Sequence, residues 1–335
     1  MAEPAVVLKA LRGVRPAVLF VLADAPRPSH PDDEVLCRRT RALIDTIDWP
    51  CSLQRLFADS HLGPARRVIS GMDAVFQQME EAIILEDDCL PAPSFFPFCH
   101  HMLERFRSEE RVAMICGSNP LELWRDDRQS FHFSALGSHW GWATWRRDWE
   151  RVDFAMPALQ RPDLDELLAR ALAEGAMVDP TLKLCRAVAA GRLDAWDAPW
   201  TLNQLLQGTL AVVPARNLIA NIGFDRQATH TVGFAAGHAS LPCHSLTLPY
   251  RGAAELAPDP DYDQRIAAWR VGRPNADDLL RRLDSLLAEG RAMAALMLAM
   301  AFKTAGLPAR EDQRAGIEQR VAQARERLRA GVTRP

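Results

Sequence analysis

One stretch of the sequence decides the fold: Ala82-Ile-Ile-Leu-Glu-Asp-Asp-Cys-Leu-Pro91, a short apolar run that leads directly into three acids. An apolar run of this length, ended by charged residues, is typical of a buried strand that leads into a turn. Adjacent carboxylates repel one another, and burial disfavours their ionised form unless a cation compensates. A hard divalent cation binds such oxygens and leaves coordination sites for a diphosphate. The stretch predicts a divalent-metal site at Glu86, Asp87 and Asp88; the alternative is a solvated acidic turn.

Strand-like and helix-like segments alternate along the first part of the chain. Apolar runs predict further strands at residues 17–22, 112–116 and 210–214, and residues 52–57 are also predicted to form a strand. Apolar residues spaced three and four apart predict helices at 33–47, 65–79, from Ser94 onward and at 165–190. Strands separated by helices form βαβ units, so the sequence predicts an α/β fold with a mostly parallel sheet flanked by helices.

The placement of the acids relative to the predicted strands indicates where a ligand binds. Asp24 follows the strand at 17–22, and the three acids follow the strand at 82–85. Open α/β sheets bind ligands at the carboxyl ends of their strands. We therefore expect Asp24 and the acidic triplet to share one ligand site. Residues 217–232 are predicted to form a polar loop, and the chain from residue 260 onward a helical extension.

A tryptophan-rich segment, residues 139–149, holds four of the nine tryptophans of the chain. The indoles of Trp140 and Trp142 would give apolar walls for sugar rings, and Gly141 would let the backbone approach a ligand. The alternative is a hydrophobic cluster that covers the edge of the sheet. The composition of the segment does not separate these two interpretations.

Two further residues are candidates for chemistry. Asp197 lies between Trp196 and Trp200, and a carboxylate in a partly apolar pocket can act as a general base near neutral pH. The alternative is a cap for a helix that starts near Pro199. His230 lies in the predicted polar loop, where a lone histidine is either structural or a metal ligand.

Composition limits the classes of function. The net charge is −3, so the chain has no basic field to recruit nucleic acid. No apolar run approaches the roughly 18 residues that span a membrane, and the first residues do not match a signal peptide. The seven cysteines contain no CxxC pair, which favours free thiols. We expect a cytoplasmic protein that reaches a membrane only by docking at its inner face.

Three motifs in this order resemble a bacterial family of GT-A nucleotide-diphospho-sugar transferases, which is distantly similar to N-acetylglucosaminyltransferase I. They lie at residues 83–91, 140–145 and 217–224, the last followed by Ala-Thr-His230. The resemblance covers about residues 15–250. It implies a Rossmann-like GT-A domain at 1–255, with a nucleotide-sugar half at about 15–120 and an acceptor half at 121–255. Residues 256–335 would form a helical C-terminal region.

The resemblance also implies roles for particular residues. Asp24 and Arg27 would contact the nucleoside, and Glu86 and Asp87 would lie near ribose and sugar. The implied ligands of Mn²⁺ or Mg²⁺ are Asp88 and His230. Trp140, Gly141 and Trp142 would belong to a loop beside donor and acceptor, and Asp197 would be the base of an inverting reaction.

The implied activity is metal-dependent transfer of a sugar from a nucleoside diphosphate, with UDP as the expected nucleotide. The acceptor would be a hydroxyl group of a carbohydrate, a glycolipid or another molecule, in surface polysaccharide or glycolipid assembly. Two other classes stay open. A metal-dependent hydrolase or nucleotidyltransferase would use the same acids and turn over nucleotide sugar without a sugar acceptor. A noncatalytic sugar-binding module would not need adjacent acids to hold a cation.

Overall fold

The computed structural model describes residues 2–172, 177–223, 241–252 and 255–332. The strands are β1 Val18–Ala23, β2 Ser52–Phe57, β3 Glu81–Ile84, β4 Cys89–Pro91, β5 Val112–Cys116, β6 Phe131–Ser134, β7 Trp142–Trp145, β8 Leu210–Pro214 and β9 Ile219–Asn221. The helices are α1 Ala2–Val14, α2 Asp33–Ala42, α3 Pro64–Phe76, α4 Phe95–Arg105, α5 Arg146–Trp149, α6 Leu164–Ala171, α7 Val178–Ala189, α8 Asp197–Gln207, α9 Pro260–Arg270, α10 Ala276–Ala288, α11 Ala292–Thr304 and α12 Glu311–Val332. Short 3₁₀ turns lie at 43–46 and 157–160. The fold is mixed α/β, as the sequence predicts.

The central sheet has five strands in the order β3-β7-β5-β8-β6. β5 and β8 are parallel, whereas β7 is antiparallel to both β3 and β5, and β6 is antiparallel to β8. The prediction of a mostly parallel sheet is therefore wrong, and the sheet is mixed. The strands β3 and β5 do point the same way, but β7 lies between them because the chain returns through the tryptophan-rich segment.

Two smaller ladders flank this sheet. β1 and β2 pair in parallel from Val18↔Ser52 to Ala23↔Phe57, and α3 packs against both β1 and β3. β4 and β9 pair antiparallel, which places Asn221 opposite Cys89. The polar loop predicted at 217–232 therefore begins with a strand. This strand matters for the site because it brings the chain back onto the turn that carries the three acids.

The C-terminal region is helical, and it packs in two different ways. Leu279, Leu298 and Phe302 lie in a separate hydrophobic core formed by α10, α11 and α12. α9 instead packs into the core beside the sheet, where Tyr262 is 1% exposed and its hydroxyl donates to Asn119 Oδ1 at 3.2 Å. α9 thus belongs to the α/β core, and its last residue reaches the candidate site. Among the described residues, no helix has the length and apolar composition needed to cross a membrane.

Candidate functional site

A cavity of about 580 Å³ opens beside the turn that follows β3. Its volume is within the range of pockets that hold small ligands. Several separate parts of the chain form its walls: the β3–β4 turn, the segment before β7, α7, the start of α8 and the end of α9. The lining residues with ionisable side chains are Glu86, His139, Cys185, Asp194, Asp197 and Arg270.

Glu86 is half-buried in the cavity wall. Burial, followed by the negative charges of Asp88, Asp197 and Asp87 in that order, raises the pKa of Glu86 to about 7. The influence of Asp197 is informative, because that residue lies far away along the chain. The fold has brought the predicted base and the acidic triplet within electrostatic reach of each other. Glu86, Asp88 and Asp197 form no ion pair with any described residue.

The acidic turn has the geometry of a cation site. Ligand atoms of Glu86, Asp88 and Cys89 lie within 4.8 Å of one another, so one ion with metal–oxygen distances of about 2.0–2.6 Å can bridge the two carboxylates. Burial and the charges of Asp88 and Glu86 raise the pKa of the Cys89 thiol. This thiol therefore keeps its proton and donates to Asp88 Oδ1 at 3.5 Å. The set left for a metal consists of oxygen atoms, which suits Mn²⁺ or Mg²⁺.

The segment after β9 holds the acidic turn in place. The Ile222 N–H donates to the Asp88 carbonyl at 2.8 Å, and the Gly223 N–H donates to Asn221 Oδ1 at 2.9 Å. A Cβ atom on Gly223 would lie 2.5 Å from Asp88 Oδ2. Glycine at this position therefore leaves room for the Asp88 carboxylate. His230, the other predicted metal ligand, lies outside the described residues.

Asp197 is the first residue of α8, and Trp196 occupies the N-cap position without a capping side-chain bond. The proposed alternative, in which Asp197 caps the helix, is therefore not what the structure shows. An acid in the first helical turn interacts favourably with the helix dipole, which explains why a carboxylate is tolerated there. The Asp197 side chain is half-buried, lines the cavity and accepts no hydrogen bond from a described residue.

Asp194 also lines the cavity, but it has a structural partner. Its Oδ1 accepts from the Ala65 N–H at 3.2 Å, at the start of α3. A Cβ atom on Gly63 would meet Asp194 Oδ2 at 2.4 Å, so the carboxylate lies directly against this loop. Asp194 thus satisfies a backbone donor of α3. Of the two acids near Trp196, Asp197 is the one whose carboxylate is left for a ligand.

The tryptophan-rich segment is mostly core. Trp142 is 1% exposed and stacks on Trp196, with ring centroids 5.5 Å apart and an interplanar angle of 18°. Trp200 packs edge-on against the same ring at 4.9 Å. Trp142 is therefore not available to a sugar ring, and the prediction that it forms a ligand wall is wrong. Trp140 is half-buried and does line the cavity.

Gly141 has a packing reason to be glycine. Its φ is +61°, and a Cβ atom there would lie 2.4 Å from Ile219 Cδ1. Its carbonyl accepts from the Gly117 N–H at 2.7 Å. The close backbone approach predicted for Gly141 therefore exists, but the contact in this structure is with β9 and not with an open ligand pocket.

Asp24 and Arg27 lie outside the residues that line the cavity. Asp24 accepts from the backbone N–H groups of Ala25, Leu62 and Gly63, each at 2.9 Å. Burial raises the pKa of Asp24, but these hydrogen bonds outweigh it and the pKa is lowered. Arg27 forms an exposed ion pair with Asp33 at 2.6 Å. Asp24 thus anchors the loop before α3, and the structure does not bring it together with the acidic triplet in one cavity.

Two residues of the cavity were missed by sequence reasoning. His139 is packed against Trp142, Trp196 and Trp200. Burial lowers the pKa of His139 to about 4, partly offset by the charge of Asp197, so the imidazole is neutral at pH 7. The sequence signal that could have identified His139 is its position at the start of the tryptophan-rich segment. Arg270 had no local signal, because α9 brings it to the cavity from the C-terminal region.

Comparison with known proteins adds no relative. No protein-family model matches this chain, and a search of curated proteins finds no significant match.

Proposed function

We propose that this chain is a metal-dependent glycosyltransferase of the GT-A type. It would transfer a sugar from a nucleoside diphosphate, with UDP as the expected nucleotide, to an acceptor hydroxyl with inversion. The observation that carries the proposal is that Glu86 and Asp197 line one cavity, that Asp88 lies beside Glu86 in the acidic turn, and that none of the three has an ion-pair partner among the described residues. The order of the motifs along the chain supports the same function.

Glu86 and Asp88 would hold Mn²⁺ or Mg²⁺, and His230 is a proposed additional ligand. The bound ion would stabilise the negative charge that develops on the departing nucleoside diphosphate. The chain's own contribution at this end is to fix Asp88. It does so through the hydrogen bond from the Cys89 thiol to the Asp88 carboxylate and through the bond from the Ile222 N–H to the Asp88 carbonyl.

Asp197 would accept the proton of the acceptor hydroxyl as the sugar–oxygen bond forms. A general base must lie within hydrogen-bond reach of that proton and must not be engaged elsewhere. Asp197 meets the second condition among the described residues, and it lies on α8, a different element from the acidic turn. A sugar bound in the cavity, whose volume is about 580 Å³, would lie against both elements.

Two other functions make different predictions for the same site. A hydrolase or nucleotidyltransferase would turn over the nucleotide sugar at the same rate with and without a sugar acceptor. A sugar-binding module would bind sugars without a cation. We favour the transferase because Glu86 of the candidate cation site and Asp197, an acid without a described partner, line the same cavity.

The first test is donor binding. Thermal shifts measured with UDP and other nucleoside diphosphates should appear only when Mn²⁺ or Mg²⁺ is present. A shift of equal size in EDTA would contradict the metal bridge.

The second test separates Asp197 from its matched neighbour. Asp197→Asn should keep metal-dependent UDP affinity and lose about 100-fold or more in transfer rate, since a general base acts on the chemical step. Asp194→Asn should change the rate much less, because that carboxylate is bound to the Ala65 N–H. Near-normal transfer by Asp197→Asn would remove both the base and the inverting assignment.

A further inference from the structure

The cavity contains a cation that the proposed donor site does not use. Among its described lining residues, Glu86, Asp194 and Asp197 are acids, and Arg270 is the arginine that faces them. Arg270 Nη2 donates to the Gly137 carbonyl at 2.6 Å. The guanidinium forms no ion pair with a described residue. Because arginine has five N–H donors in a planar fork, most of its donors remain for a ligand.

Arg270 is held by a rigid element. It is the last residue of α9, a helix whose Tyr262 and Ile266 side chains are each 1% exposed. Asp263 ties the same helix to the sheet, since it accepts from the Ser134 hydroxyl and from the Ala135 N–H at 3.0 Å. The helix therefore fixes the base of the Arg270 side chain.

Arg270 and the acidic turn reach the cavity from different parts of the fold. Glu86 lies in the β3–β4 turn, whereas Arg270 ends α9 and donates to the Gly137 carbonyl in the segment before β7. Asp197 lines the same cavity. Arg270 is therefore a cation of the cavity that does not belong to the acidic turn.

We infer that the acceptor carries an anionic group, a phosphate or a carboxylate, and that Arg270 binds it. This inference rests on the proposed function, which puts the donor at the acidic turn. With Glu86 bound to the metal ion, the carboxylates of Asp194 and Asp197 and the donor diphosphate would still repel an anionic acceptor, so its binding needs a fixed cation in the cavity. The planar guanidinium suits both anions, because it can donate two parallel hydrogen bonds to either. A neutral acceptor would gain little from this arginine.

The test measures binding to the full chain saturated with UDP and Mg²⁺, which is diamagnetic and permits ligand-observed NMR. The probes are glucose, glucuronate and glucose 6-phosphate, which share one ring and differ in charge. The variants are Arg270→Gln and Arg270→Lys. Arg273→Gln is the matched control, since Arg273 is exposed and just beyond the end of α9.

We expect wild type to bind at least one anionic probe more tightly than glucose, and the preferred probe identifies phosphate or carboxylate. Arg270→Gln should weaken that binding about 10- to 100-fold, as for loss of charged hydrogen bonds. It should leave glucose binding and UDP–Mg²⁺ affinity within about twofold of wild type. Arg270→Lys should keep part of the preference, and Arg273→Gln all of it.

Two results would overturn the inference while leaving the proposed function intact. One is equal binding of all three probes by wild type. The other is loss of UDP–Mg²⁺ affinity in Arg270→Gln, with a melting temperature close to that of wild type, which would assign Arg270 to the donor. If Arg270→Gln does not fold, Arg270→Lys decides between these results. Absence of metal-dependent UDP binding in wild type would instead refute the proposed function.

Discussion

Glu86→Gln should stabilise the protein in the absence of metal, and the gain should grow with pH. Burial and three neighbouring acids raise the pKa of Glu86 from 4.5 to about 7. The folded state therefore binds the Glu86 proton more tightly than the unfolded state. Wild type loses this stabilisation as the pH rises from 4.5 through 7, because the buried carboxylate must ionise. Glutamine has nearly the same shape and never ionises.

The size of the effect follows from the difference in pKa. Each pKa unit corresponds to about 1.4 kcal/mol, so the difference gives a ceiling of roughly 3 kcal/mol at pH 8. At pH 5.5 most of the folded molecules are protonated at Glu86, and the same relation gives about 1.4 kcal/mol. The predicted advantage of Glu86→Gln in the free energy of unfolding thus increases somewhat more than twofold, by roughly 2 kcal/mol, between these two pH values.

The assay is urea unfolding in EDTA at pH 5.5, 7 and 8 for wild type, Glu86→Gln and Glu150→Gln. Glu150 is exposed and lies away from the acidic turn, so its variant should follow wild type at every pH. Mn²⁺ should then stabilise wild type more than Glu86→Gln, since the variant has lost a ligand. If the difference in unfolding free energy between Glu86→Gln and wild type does not depend on pH, burial and the neighbouring acids do not raise the pKa of Glu86.

Two further predictions concern neighbouring residues. Asp88→Ala should abolish metal-dependent UDP binding and leave the circular-dichroism spectrum unchanged. The control Asp59→Ala changes an exposed acid and should bind UDP as wild type does. Full binding by Asp88→Ala would show that the metal site lies elsewhere. Gly141→Ala should lower the free energy of unfolding by roughly 3 kcal/mol, because it adds a clash with Ile219 to the cost of positive φ. Gly208 has a similar φ of +65°, and a Cβ atom there would meet nothing within 4 Å. Gly208→Ala should therefore lower the free energy of unfolding by only about 1 kcal/mol in the same urea titration. Equal losses for the two variants would show that the contact with Ile219 is unimportant.

The sequence predicts β5 and β8 from their continuous apolar runs, and β2 although Gln54 and Arg55 interrupt its apolar residues. These three strands begin and end at the predicted residues. β7 was missed because its segment is rich in tryptophan and lacks both alternation and a simple aliphatic run. β9 has three residues, which is too short for any periodic pattern. β7, together with β6, makes the central sheet mixed, and β9 is followed by the segment that bonds to Asp88.

Some predicted helix boundaries are wrong for a related reason. The helix predicted at 165–190 includes two helices, α6 and α7, whose apolar residues continue the same three-and-four spacing. Pro180 lies in the first turn of α7, where its missing N–H has no helical acceptor. The proline thus marks the start of a second helix within the pattern. α1 was not predicted either, because the first residues were considered only as a targeting segment.

Some residues of the candidate site can be identified from their neighbours in the sequence, and others depend on contacts between distant parts of the chain. The acidic turn and Asp197 carry their signals in adjacent residues, so sequence patterns could identify them. Arg270 is different, because its position depends on how α9 packs against Asn119 and Ser134. No short motif records such a contact. A cation that balances a cluster of acids is therefore easiest to miss when it comes from a distant helix.

The buried tryptophans still bear on function, although Trp142 cannot touch a ligand. Trp196 stacks on Trp142 and occupies the N-cap of α8, so the packing of these two rings fixes where the helix begins. Asp197 is the next residue, and its distance from the acidic turn is set by that packing. The tryptophan-rich segment thus combines the two interpretations that its composition left open. It is a hydrophobic cluster, and through Trp196 it positions the carboxylate on which the proposed transfer depends.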